Sequence, residues 1–267
     1  MKRVLLTGAA GRVGTAFRAY YGDQYWLRLA DRQVDQLTDS GTHEVIQADV
    51  ADLAACQELC RDIDMVIHLA ADPSPSADFY ESLLDNNIKA VYNIFRAAKD
   101  QGCQRVIFAS SIQTIEGYGL DTQAHPEMLP KPTNMYAAAK VFGEAMCHYF
   151  AHSEGLSCLA VRIGAFGGNH NYAADEKVDS RTLSAYVSQR DLSHLFAQCL
   201  EVKDLPFAIL QAVSDNRFKR MDITTTRQLV GYAPQDDAFA RFNTGIVHRE
   251  RWYQEWDRGA RDEGTTG

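Results

Sequence analysis

The sequence reads Thr7-Gly8-Ala9-Ala10-Gly11-Arg12-Val13-Gly14 directly after the apolar run Val4-Leu5-Leu6, and this stretch decides the fold. Its glycines recur every three residues, between a strand-like run and a helical pattern. Such glycines let the backbone turn tightly, so that its N–H groups and the dipole of the following helix can hold a pyrophosphate. The stretch therefore predicts a dinucleotide-binding turn. The alternative is a turn that only packs a helix closely on a sheet.

An acidic residue ends the second apolar stretch, which runs from Trp26 to Ala30. Asp31 stands where a carboxylate in such folds binds the hydroxyl groups of the adenosine ribose. A carboxylate there repels the additional phosphate of NADP, so the sequence predicts NAD as the cofactor. Arg32 follows directly and is the residue that could instead hold that phosphate.

The composition restricts the class of partner. The chain has 267 residues, of which 46% are hydrophobic, as expected for one globular unit with an ample core. Its formal net charge of −8 argues against nucleic acid or an anionic membrane, since both require a basic face. The six cysteines form no Cys-x-x-Cys pair, which predicts buried reduced thiols, no metal site and a cytoplasmic protein. The sequence predicts neither a signal peptide nor a membrane span.

Short apolar strands alternate with helical patterns, and this alternation predicts an α/β fold with a Rossmann-like, doubly wound parallel sheet. The predicted strands are Val4–Thr7, Trp26–Ala30, Glu44–Ala48, Met65–Leu69, Arg105–Ala109 and Ser157–Ile163. The predicted helices are Arg12–Tyr21, Leu53–Arg61, Phe79–Lys99, Asn134–His152 and Asp191–Val202, the last capped by Ser188.

This alternation of strands and helices breaks after Arg162. The glycine-containing polar segment from Gly164 to Asp179 is predicted to be a long functional loop. We therefore expect a dinucleotide-binding domain over residues 1–163 and a small C-terminal substrate-binding portion over 164–257 that completes the fold. Residues 258–267 are polar and glycine-rich, which predicts a disordered tail.

Candidate catalytic residues lie on the helix predicted from Asn134. Tyr136 and Lys140 are four residues apart, so both side chains lie on one face of the helix, where the ammonium can favour the phenolate. A tyrosine whose pKa is lowered in this way can act as a general base. Ser111 follows the apolar strand before this helix, at the edge of a parallel sheet where ligands bind. Its hydroxyl could bind the substrate oxygen that the tyrosine deprotonates.

Taken in order, these features resemble the extended branch of the short-chain dehydrogenase/reductase superfamily, over about residues 1 to 235. The motifs that carry the resemblance are the glycine turn, Ala48-Asp49-Val50, His68-Leu69-Ala70-Ala71, Asn87-Ile88-Lys89-Ala90-Val91-Tyr92-Asn93, Ser111, Tyr136-Ala137-Ala138-Ala139-Lys140, Arg162-Ile163-Gly164 and Val187-Ser188-Gln189-Arg190-Asp191. His68 is expected to be a core histidine.

The resemblance implies a role for each matching residue. Tyr136 is the expected acid/base, Lys140 holds the nicotinamide ribose, and Ser111 orients the substrate. Asn87 is expected to support the site through a water, with Asn86 beside it leaving the register open. The residues expected to contact NAD are Gly8, Gly11, Arg12, Val13, Gly14, Asp31, Arg32, Asp49, Val50, Leu69, Ala70, Ala71, Tyr136, Lys140 and Ile163. Asp49 could instead cap the helix that begins near Asp52.

Within this branch the chain is similar to uronate dehydrogenases and to archaeal-type NAD-dependent glucose-6-phosphate dehydrogenases. The roughly 100 residues after Ile163 suit a monosaccharide better than a nucleotide sugar. The expected substrate-binding residues are Ser74, Ser111, Ile112, Gln113, Ala165, Phe166 and Arg181. Two pairs of residues depart from the pattern of these sugar dehydrogenases. Ile112-Gln113 stands where they usually have Asn-His. Ala165-Phe166 follows Arg162-Ile163-Gly164, where the uronate enzymes have a small polar residue.

The sequence thus predicts oxidation of the anomeric carbon of an aldose derivative to a lactone. Arg181 matches the arginine that pairs with the sugar carboxylate in uronate dehydrogenases, which predicts a uronate or sugar phosphate as substrate. The alternatives are an epimerase or reductase that retains its NAD, and a dinucleotide sensor without turnover. A homodimer formed through the helices at Phe79–Lys99 and Asn134–His152 is expected by analogy.

Overall fold

The computed structural model describes residues 1–37, 43–167 and 179–242. Seven parallel strands form one sheet in the order β3-β2-β1-β4-β5-β6-β9, which begins with the 3-2-1-4-5-6 order of dinucleotide-binding folds. The strands of this sheet are β1 (Arg3–Thr7), β2 (Trp26–Asp31), β3 (Glu44–Gln47), β4 (Met65–His68), β5 (Arg105–Ser111), β6 (Ser157–Ile163) and β9 (Phe207–Ala212). The predicted Rossmann-like parallel sheet is confirmed.

Helices cover both faces of the sheet, as expected when parallel strands are joined by crossovers. They are α1 (Arg12–Tyr21), α2 (Leu53–Cys60), α3 (Ala90–Asp100), α4 (Met135–Glu154), α5 (Ser180–Ala185), α6 (Gln189–Glu201), α7 (Thr224–Val230) and α8 (Ala238–Arg241). Two separate clusters of buried side chains, one on each face, form the core. Strand β9 lies beside β6, so residues after 163 complete the same sheet.

Most predicted strands and helices are found with ends within two residues of the expected ones, and two regions differ more. The predicted helix Phe79–Lys99 begins as a π-helical segment, Phe79–Lys89, and continues as α3. Ala165–Gly167 was expected in a loop but forms β7, which pairs in parallel with β8 (Tyr186–Ser188). A three-residue strand is too short to leave a periodic pattern in the sequence. The rest of the predicted loop, residues 168–178, and the predicted tail lie outside the described residues.

Side chains of the expected types cap the helices that border the site. Ser188 accepts a hydrogen bond from the backbone of Asp191, as predicted, although α6 begins at Gln189. Asn134 caps α4 by accepting from Ala137 N at 2.8 Å. Helix α4 ends at Gly155, whose φ of 70° is the left-handed conformation that glycine adopts without strain. These caps fix the beginnings of two helices and the end of α4.

Helix α4 packs directly on β5. A Cβ atom on Gly143 would lie 2.2 Å from Cζ of Phe108, so only glycine permits this approach. The close contact brings the buried face of α4 against β5, whose last residue is Ser111. Tyr136, Lys140 and Glu144 recur every four residues along this face and are all buried.

A buried ion pair joins α4 to β6 and, through Ser110, to β5. Arg162 on β6 donates through Nε and Nη2 to both carboxylate oxygens of Glu144, each at 2.8 Å. Ser110 on β5, which lies opposite Arg162 in the register, donates to Glu144 Oε1 at 2.6 Å. The two charged side chains are only 1% and 4% exposed. Because the pair is bidentate and further hydrogen-bonded, it fixes the position of the helix relative to the sheet.

Loss of the Glu144 carboxylate should therefore be costly. We expect Glu144→Ala to lower the free energy of unfolding by about 3–5 kcal/mol, because Arg162 is left charged and unpaired in the core. The matched control is Glu58→Ala, which removes an exposed partner of Arg61 and should cost less than about 1 kcal/mol. Urea denaturation followed by circular dichroism measures both values. Equal losses in the two variants would contradict this role for Glu144.

Candidate active site

A cleft of about 680 Å³ lies at the carboxyl edge of the sheet, above β1, β2, β4 and β5. All fifteen residues predicted to contact the cofactor line it: Gly8, Gly11, Arg12, Val13, Gly14, Asp31, Arg32, Asp49, Val50, Leu69, Ala70, Ala71, Tyr136, Lys140 and Ile163. Their contact with a cofactor remains a prediction. Their common location defines one site in which a nucleotide and a second ligand could meet.

The glycine turn leaves no room for larger side chains. Gly8 has a φ of 68°, and a Cβ atom there would lie 2.7 Å from Ala70 N. A Cβ on Gly14 would lie 2.6 Å from the carbonyl oxygen of Gly8. Gly8 is therefore required because of its positive φ and because the loop after β4 lies against it. Gly14 is required because the first turn of α1 packs against the carbonyl oxygen of Gly8. Glycines that pack a helix closely on the sheet also leave the backbone open to a phosphate. The interpretation of this turn as a packing feature is therefore compatible with its interpretation as a dinucleotide-binding turn.

Thr7 connects the glycine turn to the end of β4. Its Oγ1 accepts hydrogen bonds from the N–H groups of Leu69 and Ala70 and lies 2.8 Å from Nδ1 of His68. With both lone pairs in use, the hydroxyl must donate to Nδ1, which puts the imidazole proton on Nε2. Burial, followed by the charge of Lys140, lowers the pKa of His68 to about 3, so the ring is neutral. His68 is thus a structural core residue, as expected.

Two aspartates define the far end of the cleft. Asp31 accepts a hydrogen bond from Ala10 N at 3.0 Å, which holds its carboxylate beside the glycine turn. Asp49 accepts from Ala51 N at 2.9 Å, whereas α2 is capped by Asp52, which accepts from Ala54 N. The alternative role of Asp49 as the helix cap is therefore wrong. Gln33 and Gln36, which sequence reasoning missed, follow Asp31 along the same wall.

Ser111 and Tyr136 meet at the near end of the cleft. The Ser111 hydroxyl accepts from Gln113 N at 3.2 Å and lies close enough to the Tyr136 phenol to influence its pKa. Burial raises the pKa of Tyr136, the hydroxyl of Ser111 lowers it, and the carboxylate of Asp72 raises it. The net direction is upward. The prediction that Lys140 lowers the pKa of this phenol is therefore wrong for the protein without ligand.

Lys140 lines the cleft beside Tyr136 and is 5% exposed. Its Nζ donates to the carbonyl oxygen of Ala109 at 2.8 Å and lies 5.1 Å from the ring centre of Phe108 and 5.6 Å from that of Tyr136. Burial lowers the pKa of Lys140 to about 8. Burial has the largest influence on the pKa of the Tyr136 phenol, and Lys140 contributes no shift to it.

Asn87 does not line the cleft, whereas its neighbour Asn86 does. The amide of Asn87 is buried and forms two hydrogen bonds with the backbone of Asp72: Oδ1 accepts from the N–H at 2.8 Å, and Nδ2 donates to the carbonyl at 3.0 Å. Asn87 thus positions the loop after β4, and its water-mediated contact with the site stays a prediction. Asn86 donates to Ser82 O at 3.0 Å.

The expected substrate-binding residues are only partly assembled. Ser111 and Phe166 line the cleft, but Ile112 is 7% exposed and packs in the core. The side-chain oxygen of Gln113 accepts a hydrogen bond from Nδ2 of Asn134 at 3.1 Å. Because Asn134 is the residue that caps α4, this bond supports the cap, and it occupies the amide oxygen of Gln113. Both residues therefore support the site from behind, because the turn after Ser111 directs one side chain inward and the other towards α4.

Three further expected residues lie beyond the cleft wall. Ser74 is hydrogen-bonded to Ser76 at 3.0 Å in the loop after β4, and Ala165 packs against the core from β7. Arg181, in the first turn of α5, forms an ion pair with Glu116, whose side chain is only 6% exposed. Because the two residues lie far apart in the sequence, no periodicity of residue types indicates this ion pair, and the sequence did not predict it.

The chain belongs to the NAD-dependent epimerase/dehydratase family, whose model matches residues 4–206. It is 36% identical over 252 residues to the NAD-dependent glucose-6-phosphate dehydrogenase of Haloferax volcanii, covering 88% of this chain and 94% of that protein. It is also 30% identical to the L-arabinose 1-dehydrogenase (NAD(P)(+)) of the same organism, covering 89% of this chain and 98% of that protein.

Solved structures agree with this assignment. The chain superposes with a TM-score of 0.80 on a mutant of the uronate dehydrogenase of Agrobacterium tumefaciens complexed with NAD, at 30% identity and with 90% of this chain and 88% of that chain covered. Within the described residues, no helix has the length and apolar character needed to cross a membrane.

Tyr136 is expected to be essential for catalysis. We expect Tyr136→Phe to lower kcat by about 1000-fold or more, with NAD affinity near that of the parent protein, because only the phenol oxygen is lost. Tyr149→Phe, on an exposed part of the same helix, is the matched control and should retain full activity. Steady-state formation of NADH and calorimetric titration with NAD measure the two effects. A Tyr136→Phe enzyme with a tenth of the parent rate would contradict the assignment.

Proposed function

We propose that this protein is an NAD-dependent dehydrogenase that oxidises the anomeric carbon of an aldose derivative to a lactone. The observation that carries the proposal is the assembly of Ser111, Tyr136 and Lys140 at one end of a cleft whose other end is the glycine turn and Asp31. This arrangement brings a nucleotide-binding site and a potential general base into one cavity. A dinucleotide sensor would have no need of a buried phenol and ammonium beside a serine hydroxyl.

The residues at the near end have separate roles in the proposed reaction. Tyr136, as phenolate, removes the proton of the anomeric hydroxyl, and the hydroxyl of Ser111 stabilises charge that develops on the same oxygen. NAD, when bound, supplies the hydride acceptor. Lys140, whose Nζ lies 5.6 Å from the ring centre of Tyr136, is the residue proposed to hold the nicotinamide ribose. Its pKa of about 8 lets it remain largely protonated at neutral pH.

The far end of the cleft fits an adenosine diphosphate moiety. The glycine turn presents backbone N–H groups at the start of α1, where the helix dipole favours an anion. Asp31 faces the cleft with its carboxylate held by Ala10, ready to accept hydrogen bonds from ribose hydroxyls. Asp49 and Val50 supply the wall expected at the adenine. NAD, and not NADP, is therefore the proposed cofactor.

The proposed substrate is one class of sugars and not a single compound. The relatives named above act on an anionic sugar phosphate, an anionic uronate and a neutral pentose, according to their names. The sequence match at Arg181 supports an anionic hexose derivative, and because Arg181 is paired with Glu116 beyond the cleft wall, a substrate anion must replace or share that carboxylate. We propose an anionic hexose derivative, with a neutral aldose as the alternative.

A panel of sugars tests the function. D-glucose 6-phosphate, D-glucuronate, D-galacturonate, L-arabinose and D-glucose are each incubated with NAD, and NADH is followed by its absorbance. The proposal predicts net NADH formation in proportion to product with at least one anionic sugar. Conversion of a sugar without net NADH would instead indicate an epimerase that retains its cofactor. Dinucleotide binding without conversion of any sugar would indicate a sensor.

Cofactor choice should depend on Asp31. The parent enzyme should prefer NAD over NADP in kcat/KM, because the carboxylate repels a phosphate on the ribose, and Asp31→Ser should narrow the difference. Asp35→Ser is the matched control, since Asp35 also lines the cleft and the variant removes the same charge. It should leave the preference almost unchanged. Equal use of both cofactors by the parent enzyme would show that Asp31 does not face the ribose.

Arg181 should matter for the charge of the substrate. We expect Arg181→Met to raise KM for the anionic sugar at least about tenfold more than KM for the neutral parent sugar, because a charged hydrogen bond is lost. Arg190→Met is the comparison, because Arg190 is likewise paired with a carboxylate, that of Asp236 at 2.9 Å. Matched KM measurements on both sugars give the result. An effect confined to Arg190→Met would transfer the anion site to that residue.

We also propose that the protein is a cytoplasmic homodimer. Its described cysteines are all free and buried, which is compatible with a reducing compartment. Tyr80 before α3 and Tyr149 on α4 are exposed aromatic residues on the helices expected at the dimer interface. Light scattering coupled to size-exclusion chromatography gives the oligomeric state directly.

A further inference from the structure

Two cysteines meet at the edge of the sheet opposite the cleft. Cys60 is the last residue of α2, and Cys103 lies in the turn between α3 and β5. They are 43 positions apart in the sequence, but Cys103 Sγ lies 3.8 Å from the carbonyl oxygen of Cys60, so the two residues are neighbours in the fold. The fold thus creates a pair of adjacent thiols that no sequence motif predicts.

The two thiols are not equivalent. Cys103 is 6% exposed, whereas Cys60 is completely buried. The neighbouring thiol of Cys60 lowers the pKa of Cys103, since it can donate to a thiolate there, whereas the proximity of Cys103 and burial raise the pKa of Cys60. A thiolate is the reactive form of cysteine, so Cys103 is the residue of the pair that an oxidant meets first.

The other four cysteines lack this combination. Cys56, Cys147, Cys158 and Cys199 are completely buried. Burial raises the pKa of each of these four thiols, to about 12 for Cys56, Cys158 and Cys199. A buried thiol with a raised pKa reacts slowly. Cys103 therefore differs from them both in access and in the partner within reach.

We propose that Cys103 and Cys60 form a site of reversible oxidation, at which a peroxide converts the two thiols to a disulfide. The Cys103 thiolate attacks one oxygen of hydrogen peroxide, which gives a sulfenic acid at Cys103 and, with one proton, water. The sulfur of Cys60 then attacks the sulfenic sulfur, and the hydroxide that leaves takes the Cys60 proton to form a second water. Two electrons pass from the thiol pair to one peroxide.

The location predicts what the disulfide does. It links the end of α2 to the turn before β5, at the opposite end of that strand from Ser111. A seven-residue strand spans about 20 Å, so the link lies far from the cleft. Closing a loop of this length restricts the unfolded chain, which stabilises the folded state. The oxidised protein should therefore be more stable.

Mass spectrometry and thermal unfolding test the proposal on the full chain. After treatment with hydrogen peroxide, the intact protein should lose about 2 Da, the mass of two hydrogens. Peptide mapping without reductant should find Cys60 linked to Cys103. The melting temperature should rise by about 5 °C and return to its starting value with dithiothreitol. Cys103→Ala should abolish the link, whereas Cys199→Ala, the matched control, should retain it.

Several outcomes would overturn the proposal. These are an unchanged mass with both thiols still alkylated, addition of oxygen at Cys103 without a link, and a link between any other pair. A lower melting temperature of the linked protein would overturn the stabilising role. None of these readouts depends on the substrate or on turnover, so the proposal stands or falls separately from the proposed function.

Discussion

The buried hydrogen-bonded ion pair between Glu144 and Arg162 is the interaction on which the site depends. It joins α4 to β6 and, through Ser110, to β5, with all three side chains inaccessible to solvent. Ser111 is the next residue along β5, and Tyr136 and Lys140 occupy the same face of α4 as Glu144. The register of helix against strand therefore fixes the distance between the serine hydroxyl and the phenol.

Burial of this ion pair costs desolvation free energy. Desolvation of two charges usually offsets most of their attraction, so a hydrophobic contact of the same volume could be equally stable. A bidentate pair is more directional, however, because it allows one geometry and not a range of them. We interpret Glu144 and Arg162 as positioning residues for the candidate site. Gly143 against Phe108 serves the same purpose through close contact.

The residues that the sequence predicts for the cofactor side all line one cleft, because the constraints on them are local. A glycine turn, an acid at a strand end and a Tyr-Lys pair four residues apart each lie within one element or at its boundary. The substrate side depends on side chains from distant loops, and here prediction was weaker. Ile112 packs in the core, Gln113 supports the cap of α4, and Arg181 is paired with Glu116. Nothing within a short window of sequence specifies those contacts.

The pKa of the Tyr136 phenol likewise depends on packing that a short window of sequence does not specify. Spacing places Lys140 on the same face as Tyr136, but the distance between ammonium and phenol oxygen depends on how the helix packs. In the structure the ammonium bonds to the carbonyl oxygen of Ala109, and burial raises the pKa of the phenol. The phenolate that the proposed reaction requires must therefore be favoured by the ligands that fill the cleft. This is a property of the complex and not of the sequence alone.

The central claim is that hydride leaves the anomeric carbon of a sugar for NAD in this cleft. It is tested most directly with a sugar that carries deuterium only at C1, either D-glucose 6-phosphate or D-glucuronate. The account predicts that the NADH formed gains about one mass unit, and that the same sugar deuterated only at C4 transfers none. NADH without deuterium from the C1-labelled sugar, or with deuterium from the C4-labelled one, would contradict it.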